Sequence, residues 1–469
     1  MVVRLASGIA ITAAPASIVN NYTQQLESAL ASTGVTGASF AYWDGAALCT
    51  AAAGLRNSVT GDPVTIDTVL HIGSITKVFN AVLIMQLVDE GKIALNDPVV
   101  RHLPGLRLRD TEALKNITCA MLVNHTSGIN CSMLPDHGPD QERIEDAIAR
   151  CADLGQLHPP GDATSYCNMG TVIAGYLTQT LRGESWYALI KRRIFEPLGM
   201  HHAIASLTDL PRFRCSVGDL TDRATGKLVQ TTRPYLPLSF APAGTTTMMS
   251  ATDLVTFGRA MINGGVGPNG ARILSEASAK RMAEPTAALV LPAGWKIGLG
   301  WMILPGGVLN HRGGGPGVNS ELYAHPSSGR VIALLRNCDK GSTLDPLIID
   351  PIVESWTGIK SSAPQRPRNV RVDPKPYEGV YELDPMRAEV FQRHGGLALR
   401  LSVSARIYDN LALTNEATDL PLHPLGDHAF EVEGLLFQTI EREVRFVPGP
   451  DGRMRFFAPM RAHLLARLK

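Results

Sequence analysis

Apolar residues follow helical spacing in two stretches near the N-terminus, and a pair of strands is expected between them. In residues 17–31 apolar side chains are spaced by four, which predicts an amphipathic helix. Two apolar runs flank the turn dipeptide Asp44-Gly45, which predicts a β-hairpin over residues 37–53. From Ser74 to Asp89 the three-four spacing returns and stops before Gly91, so a second helix is expected there.

Farther along the chain the pattern changes from helices to strands. Residues 96–234 are rich in helical patterns, and a capping box at Ser250 opens a further helix that runs to Ile262. After residue 295 short apolar runs alternate with glycine, proline and serine until a closing helix at 345–356. Because strands occur near both ends of this region, they are expected to form one sheet with the helix-rich middle inserted beside it.

The last part of the chain has a different texture. Residues 361–376 contain four prolines among polar residues and are expected to be a linker. Residues 377–469 show short alternating apolar stretches separated by turn signals, which predicts a small all-β barrel. The predicted organisation is an N-terminal extension (1–16), an α+β domain (17–360), the linker (361–376) and the barrel domain (377–469).

Composition and charge limit the kinds of partner. Lysine and arginine number 44 and aspartate and glutamate 43, so the net charge is +1 and no basic stripe indicates a nucleic-acid partner. No run of 18 apolar residues occurs, so no membrane-spanning helix is expected. A neutral surface of this kind is suited to a small-molecule or peptide substrate, and it leaves the oligomeric state open.

Cysteine usage bears on metal binding and on location. Seven cysteines are scattered without a Cys-x-x-Cys pair, which argues against a zinc site or a redox motif. Their odd number and the weak apolar centre of the N-terminal segment favour a cytoplasmic location, with export as the alternative. The chain is therefore expected to bind no metal.

Ser74 and Lys77 form the first chemically suggestive pair. Both fall at the start of the predicted helix, and a separation of three residues puts them on one face, one turn apart. A lysine that burial drives toward neutrality can take the proton of a serine hydroxyl, and a helix N-terminus favours negative charge nearby. Taken alone, the pair is equally typical of a helix cap and a surface lysine.

Two further elements follow in the chain. In Tyr166-Cys167-Asn168 a tyrosine beside a cationic lysine can ionise more easily and serve as a general base, and the asparagine amide can hold a lysine or a carbonyl. In His311-Arg312-Gly313-Gly314 the glycines let a strand approach a substrate closely and offer a backbone N–H to an oxyanion. Separately, each element is typical of a core tyrosine, a loop histidine or an ordinary turn.

Together and in this order, the three elements resemble the serine β-lactamase and penicillin-binding-protein superfamily. The match is closer to its class C and D-alanyl-carboxypeptidase or esterase branch, in which the second motif is Tyr-x-Asn and the third is often His-x-Gly. Further stretches resemble that branch too, and the likeness covers about residues 17–358. These stretches are 122–129, 194–200, 243–244, 250–254 and 297–301.

The resemblance implies a fold and roles for the first two motifs. The fold would be a β-lactamase-like antiparallel sheet flanked by helices, and residues 377–381 are similar to the start of lipocalin-like domains appended to such hydrolases. Ser74 would attack the acyl carbon, and Lys77 and Tyr166 would remove and return protons. Asn168 would position the lysine and the substrate amide. Neither a metal nor another cofactor is implied.

The remaining implied roles belong to the third motif. Backbone N–H groups of Ser74 and Gly314 would form the oxyanion hole, and Arg312 and Gly313 would contact the substrate. His311 would stand where β-lactamases carry a lysine, and a histidine is only partly charged at neutral pH. This replacement argues against efficient penicillin hydrolysis and leaves an ester, an amide or a peptide without that carboxylate at least as well suited.

The expected function is that of a serine hydrolase that cleaves a small peptide, amide or ester through a Ser74 acyl-enzyme. A peptidase acting on short, D-residue-containing or linearised cyclic peptides is favoured, because an appended barrel can narrow a cleft. Three alternatives stay open. They are an acyltransferase or peptide cyclase, an esterase or weak β-lactamase, and a penicillin-binding sensor that does not turn over.

Overall fold

The computed structural model describes residues 16–131, 143–222, 224–233, 235–360, 370–384, 386–403, 419–432 and 443–468. Within them the α-helices are α1 (Ala16–Thr33), α2 (Thr76–Asp89), α3 (Val99–His102), α4 (Thr111–Asn116), α5 (Cys119–Val123), α6 (Ile144–Ala149), α7 (Asn168–Arg182), α8 (Trp186–Ile190), α9 (Glu196–Leu198), α10 (Ala251–Ile262), α11 (Glu276–Ala283) and α12 (Asp350–Thr357). The strands are β1 (Gly37–Trp43), β2 (Leu48–Asn57), β3 (Asp62–Pro63), β4 (Leu70–His71), β5 (Ala203–Ile204), β6 (Asp219–Thr221), β7 (Leu228–Gln230), β8 (Met248–Met249), β9 (Ala287–Ala288), β10 (Lys296–Ile297), β11 (Met302–Ile303), β12 (Leu309–Gly315), β13 (Val318–His325), β14 (Arg330–Arg336), β15 (Gly379–Leu383), β16 (Met386–Arg393), β17 (Gly396–Val403), β18 (Asp419–Gly426), β19 (Ala429–Val432), β20 (Glu443–Pro448), β21 (Met454–Ala458) and β22 (Leu465–Arg467).

One large antiparallel sheet contains strands from both ends of the catalytic part, as the sequence predicts. Its order is β3-β2-β1-β14-β13-β12-β11-β10-β9, so that β1 pairs with β14. Successive side chains of β14 enter two different cores because strand residues alternate between faces. Ala333 and Leu335 pack with α2 and α10, whereas Ile332 and Leu334 pack with α1 and α12. The predicted α+β arrangement is confirmed.

The helix that carries the serine-lysine pair begins later than predicted. Gly73–Ile75 forms a tight helical turn, and α2 starts at Thr76. Residues 76–87 are buried on every side of α2, so the helix runs through the core rather than along its surface. Its polar side chain Asn80 is satisfied by two partners, because the amide donates to the Thr171 carbonyl and accepts from the Trp186 indole, each at 2.9 Å.

The C-terminal strands β15 to β22 close into a barrel in sequential order, with β22 returning to β15. Aromatic rings fill its interior, among them Tyr381, Phe446 and Phe457. The predicted barrel is confirmed, although β18 was not expected because two prolines interrupt its apolar alternation. Part of one predicted strand, at 433–435, lies outside the described residues.

The barrel packs directly on the catalytic part. Phe456 and Leu464 of the barrel lie in one apolar cluster with Leu291, and Arg455 forms an ion pair with Asp162. Residues 1–15 of the predicted extension and 361–369 of the predicted linker lie outside the described residues, and the domain limits stay a prediction. In the described part of the chain, no helix combines the length and the apolarity that a membrane crossing requires.

Candidate active site

Ser74 and Lys77 are adjacent at the start of α2. Among residues 68–87, Ser74 alone is only partly buried, so it is the residue of this segment that a solute can reach. The Lys77 amine lies 2.9 Å from the Ser74 hydroxyl oxygen and donates to the Ala243 carbonyl at 2.5 Å. Burial lowers the pKa of Lys77 well below its usual range. A neutral amine beside a hydroxyl is a proton acceptor within reach of its proton.

Glycines bring the serine turn into contact with β12. Gly73 has φ +52°, and a Cβ on it would lie 2.7 Å from the Gly314 nitrogen. A Cβ on Gly313 would lie 1.8 Å from the Ile72 carbonyl oxygen, so a larger residue does not fit at either position. Gly314, by contrast, faces open space. The two backbone segments that the family resemblance assigns to the oxyanion hole are therefore neighbours beside Ser74.

Tyr166 lies just before α7 and completes the cluster around Ser74. Its hydroxyl hydrogen-bonds the Ser74 side chain, and its ring centroid is 4.9 Å from the Lys77 nitrogen. Tyr166 is 8% exposed, and this burial raises the pKa of its phenol. This differs from the expectation that a cationic lysine helps the tyrosine to ionise, because burial favours the neutral form of both groups. Tyr166 is therefore a phenol that can pass a proton on.

His311 is buried on β12, with its ring centroid 6.5 Å from that of Tyr166. Its Nδ1 lies 2.7 Å from the Arg312 carbonyl, so Nδ1–H donates there and Nε2 is left as an acceptor. Burial, with a smaller contribution from the positive charge of Arg461, lowers the pKa of His311 to about 3. At neutral pH the position that holds a lysine in β-lactamases thus holds an uncharged ring.

Arg312 points to the opposite face of the sheet from His311, as strand alternation requires. Its guanidinium contacts two carboxylates, Glu321 at 2.7 Å and Asp345 at 3.6 Å. Arg336 joins the same cluster and bonds Asp345. The proposed contact of Arg312 with substrate, and that of Gly313, therefore stay predictions. The arginine charge is compensated by acidic side chains of the protein itself.

Asn168 is the first residue of α7, and its backbone N–H donates to the Cys131 carbonyl at 3.2 Å. The helix start therefore fixes the residue two positions after Tyr166, and Asn168 is buried beside the cluster. Its assigned task, holding Lys77 and a substrate amide, stays a prediction.

All seven cysteines are free, and six of them are buried.

His125 contacts Tyr166 and was not singled out from the sequence. The two ring centroids are 4.4 Å apart, and His125 Nδ1 accepts the backbone N–H of Cys167 at 3.2 Å. Its backbone has φ +60°, an uncommon conformation for a residue other than glycine. His125 belongs to the stretch 122–129, which resembles the family, so the sequence did contain a signal for it.

The second group missed from the sequence comes from the barrel. The loop between β21 and β22 reaches the cluster, and its Ala462 carbonyl accepts the backbone N–H of Tyr166 at 2.7 Å. The ring centroid of His463 is 5.1 Å from that of Tyr166. Arg461 lies over the Trp295 ring at 4.3 Å. No local pattern in the sequence indicates this approach, because the contacts join distant residues, such as Leu464 and Ser165, which are hydrogen-bonded and 299 residues apart.

Comparisons with known proteins agree with this arrangement. The Beta-lactamase family model matches residues 22–354. Penicillin-binding protein 4 of Amycolatopsis lactamdurans is 33% identical over 362 residues, which are 74% of this chain and 93% of that protein. A crystal structure of SurE with D-Leu has a TM-score of 0.74 at 25% identity and covers 97% of this chain and 100% of its own.

A more distant structure shares the fold alone. The D-amino acid amidase from Ochrobactrum anthropi SV3, complexed with L-phenylalanine amide, has a TM-score of 0.61 at 23% identity. It covers 72% of this chain and 99% of its own length. Since the family model spans well over half of the chain, and the penicillin-binding protein matches over nearly all of its own length, this chain belongs to the beta-lactamase family of serine hydrolases, within the superfamily that includes the penicillin-binding proteins.

Proposed function

We propose that the protein cleaves the amide bond of a short peptide through an acyl-enzyme on Ser74. The observation that carries the proposal is the buried Lys77 amine, 2.9 Å from the Ser74 hydroxyl oxygen, with the Tyr166 hydroxyl on the same oxygen. A serine hydroxyl is a weak nucleophile unless a base is positioned to take its proton. Here burial lowers the pKa of Lys77 and so favours the neutral amine, the form that can take this proton.

In the acylation step Ser74 Oγ forms a bond to the substrate carbonyl carbon while Lys77 takes the hydroxyl proton. The negative charge on the carbonyl oxygen is stabilised by the backbone N–H groups of Ser74 and Gly314. The carbon–nitrogen bond then breaks, and the leaving amine receives a proton from the Tyr166 phenol. Lys77 returns its proton to the phenol, so the pair ends the step as it began.

In the second step water attacks the ester on Ser74 and the same groups work in reverse. The water proton passes through Tyr166 to Lys77, and Ser74 Oγ leaves with a proton. In every half-reaction the phenol and the amine each accept one proton and donate one, so both end it in the neutral form in which they began. The acyl-enzyme therefore turns over rather than accumulating as it would in a sensor.

The barrel loop supports a peptide as the substrate. Arg461 brings a positive charge that acts on His311, and His463 faces Tyr166, so the barrel contributes polar groups at the cleft. The neutral His311 offers no cation at the position that β-lactamases use for a drug carboxylate. We therefore assign recognition of a peptide carboxylate to the barrel loop that carries Arg461. The SurE structure with D-Leu supports testing peptides with a D-residue at the end that bears the carboxylate.

A second candidate is transfer of the acyl group to an amine, including an amine of the same peptide. The observation that favours it is the enclosure of Tyr166, which is 8% exposed and contacts His125 and His463. A covered phenol limits the access of water and leaves a substrate amine to compete for the acyl group. Hydrolysis and transfer use the same residues, and only the products distinguish them.

The experiment combines labelling with product analysis. Intact-protein mass spectrometry with a fluorophosphonate should add one label at Ser74, and Ser74→Ala should take none. Ser355→Ala, an exposed serine on α12, is the matched control and should label as the wild type does. A panel of L- and D-peptides, p-nitrophenyl esters and a chromogenic β-lactam then ranks the substrates. Label on Ser74→Ala, or turnover restricted to the β-lactam, contradicts the proposal.

A further inference from the structure

His71 lies outside the three motifs but contacts the turn that carries Ser74. It is the last residue of β4, and its side chain is buried. Its Nδ1 accepts the backbone N–H of Gly73 at 2.9 Å, and its Nε2 lies 3.0 Å from the carbonyl oxygen of Thr245. One imidazole thus links the backbone of Gly73, just before Ser74, to the backbone of Thr245, close to the Ala243 carbonyl that Lys77 contacts.

These two partners determine which nitrogen of His71 carries the proton. A backbone N–H can only donate, so Nδ1 is the acceptor, and a carbonyl can only accept, so Nε2 carries the hydrogen. Burial lowers the pKa of His71, which keeps the ring neutral. In a protonated ring Nδ1 would also carry a hydrogen, and this N–H would point at the backbone N–H of Gly73. The bridge therefore exists in one tautomer and one charge state.

Both segments that the bridge joins determine the surroundings of Lys77. Gly73 directly precedes Ser74 in the chain, and its carbonyl accepts the Thr76 hydroxyl at 2.8 Å. Thr245 is two residues after Ala243, whose carbonyl accepts the Lys77 amine. His71 is thus a side chain that links the backbone just before Ser74 to the backbone just after the Ala243 carbonyl.

The other neighbours of His71 hold this assembly against the sheet. A Cβ on Gly244 would lie 2.1 Å from the Gly73 carbonyl oxygen, so the two segments are already in close contact. The His71 carbonyl accepts the Ser320 hydroxyl of β13 at 2.8 Å. Gly73 keeps its left-handed conformation within these constraints. Loss of the imidazole would remove the side-chain bond that determines how the turn is oriented.

We propose that His71 is a positioning residue for the acylation step, and the inference rests on the function proposed above. It holds the serine turn and the loop 243–245 at a fixed separation, so that Lys77 meets the Ser74 oxygen and the Ala243 carbonyl together. It does not touch the substrate. Its effect is on the rate of the chemical step and not on substrate binding.

The test compares full-length variants by the rate of Ser74 labelling and by steady-state kinetics. His71→Ala should slow labelling by about 100-fold, the effect of misplacing a reacting group by about an ångström, with KM changed less than kcat. His71→Asn should recover most of the rate, because its amide oxygen can accept from Gly73. His71→Gln should recover less, because its amide reaches only Thr245.

The matched control is His325, another buried histidine with two hydrogen bonds, at the end of β13. His325→Ala should lower the thermal midpoint about as much as His71→Ala and leave labelling unchanged. Labelling of His71→Ala at the wild-type rate overturns the inference. The inference is also overturned if folded His71→Asn is labelled no faster than His71→Ala, or if His325→Ala is slowed as much as His71→Ala. If His71→Ala is insoluble, His71→Asn against His71→Gln decides in the same way. A wild-type protein that takes no label at Ser74 contradicts the proposed function itself.

Discussion

Two groups of residues meet around Ser74 and Tyr166, called here the nucleophile wall and the barrel wall, and they are built in different ways. The nucleophile wall consists of residues 73–77 and 311–314, and the barrel wall consists of residues 461–463. In the nucleophile wall Lys77 and His311 are buried, and burial lowers the pKa of both, which favours their neutral forms. The charge of Arg312 lies on the opposite face of the strand, where it pairs with Glu321 and Asp345. The barrel wall reaches the cleft on a loop and carries a permanent charge on Arg461. The difference suggests a division of labour in which one wall does the chemistry and the other selects the substrate.

The largest effect is expected on the nucleophile wall and its proton relay. Lys77→Ala and Tyr166→Phe should each lower kcat by about 10³-fold with little change in KM, because proton transfer is made in the transition state. The double variant should be close to the worse single variant, since the residues act as one unit. Lys92→Ala, an exposed lysine after α2, is the control. Losses that multiply would show that the two groups act separately.

The neutral state of the nucleophile wall should also appear in the pH dependence of stability. His311 titrates near 6.5 when unfolded and near about 3 when folded, so the unfolded chain binds the extra proton between these values. The contribution of His311 to the free energy of unfolding is therefore fully present above pH 6.5 and is lost as the pH is lowered toward 3. The loss amounts to about 2 kcal/mol at pH 5. Urea unfolding at pH 7 and pH 5 measures the total loss, to which buried His71 also contributes, so the part due to His311 is the difference between the wild type and His311→Gln. His311→Gln should lose about 2 kcal/mol less, and an equal loss in both proteins would place the titrating group elsewhere.

Substitutions in the barrel wall should change substrate selection and leave the chemistry intact. Arg461→Ala should raise KM about tenfold for peptides with a free carboxylate, the effect expected on losing a charged hydrogen bond. The kcat for a small neutral ester should stay within about twofold of the wild type. Arg455→Ala, a barrel arginine that pairs with Asp162, is the control. A fall in kcat on the ester would mean that the barrel wall takes part in the chemical step.

The smallest effect concerns an attempt to make the nucleophile wall charged. His311→Lys should raise the reactivity toward carboxylate-bearing substrates, including a β-lactam, relative to neutral esters. The gain should be modest, because burial disfavours a charge at this position and Arg461 acts on it with charge of the same sign. His311→Gln, which stays neutral, should show no such preference. Equal discrimination by the lysine and glutamine variants would mean that residue 311 does not face the substrate.

Much of the fold follows from patterns within short stretches of sequence. Helix α1, predicted over residues 17–31, and strand β1, predicted in the hairpin 37–53, lie close to their observed limits because each has a regular apolar period. The start of α2 was predicted too early, because the turn at Gly73–Ile75 depends on a close approach to β12 that no local period records. The strand β18 was missed because prolines interrupt its alternation.

The sequence by itself determined the kinds of chemical group and their order along the chain. Ser74 and Lys77 are three residues apart on a helical segment, so any fold that keeps the helix brings them together. The tertiary structure decided the charge state of Lys77, the buried partners of Arg312 and the approach of residues 461–463 to Tyr166. Burial and contacts between distant residues depend on how the elements pack. A linear sequence records neither, because desolvation and proximity arise only when the chain is folded.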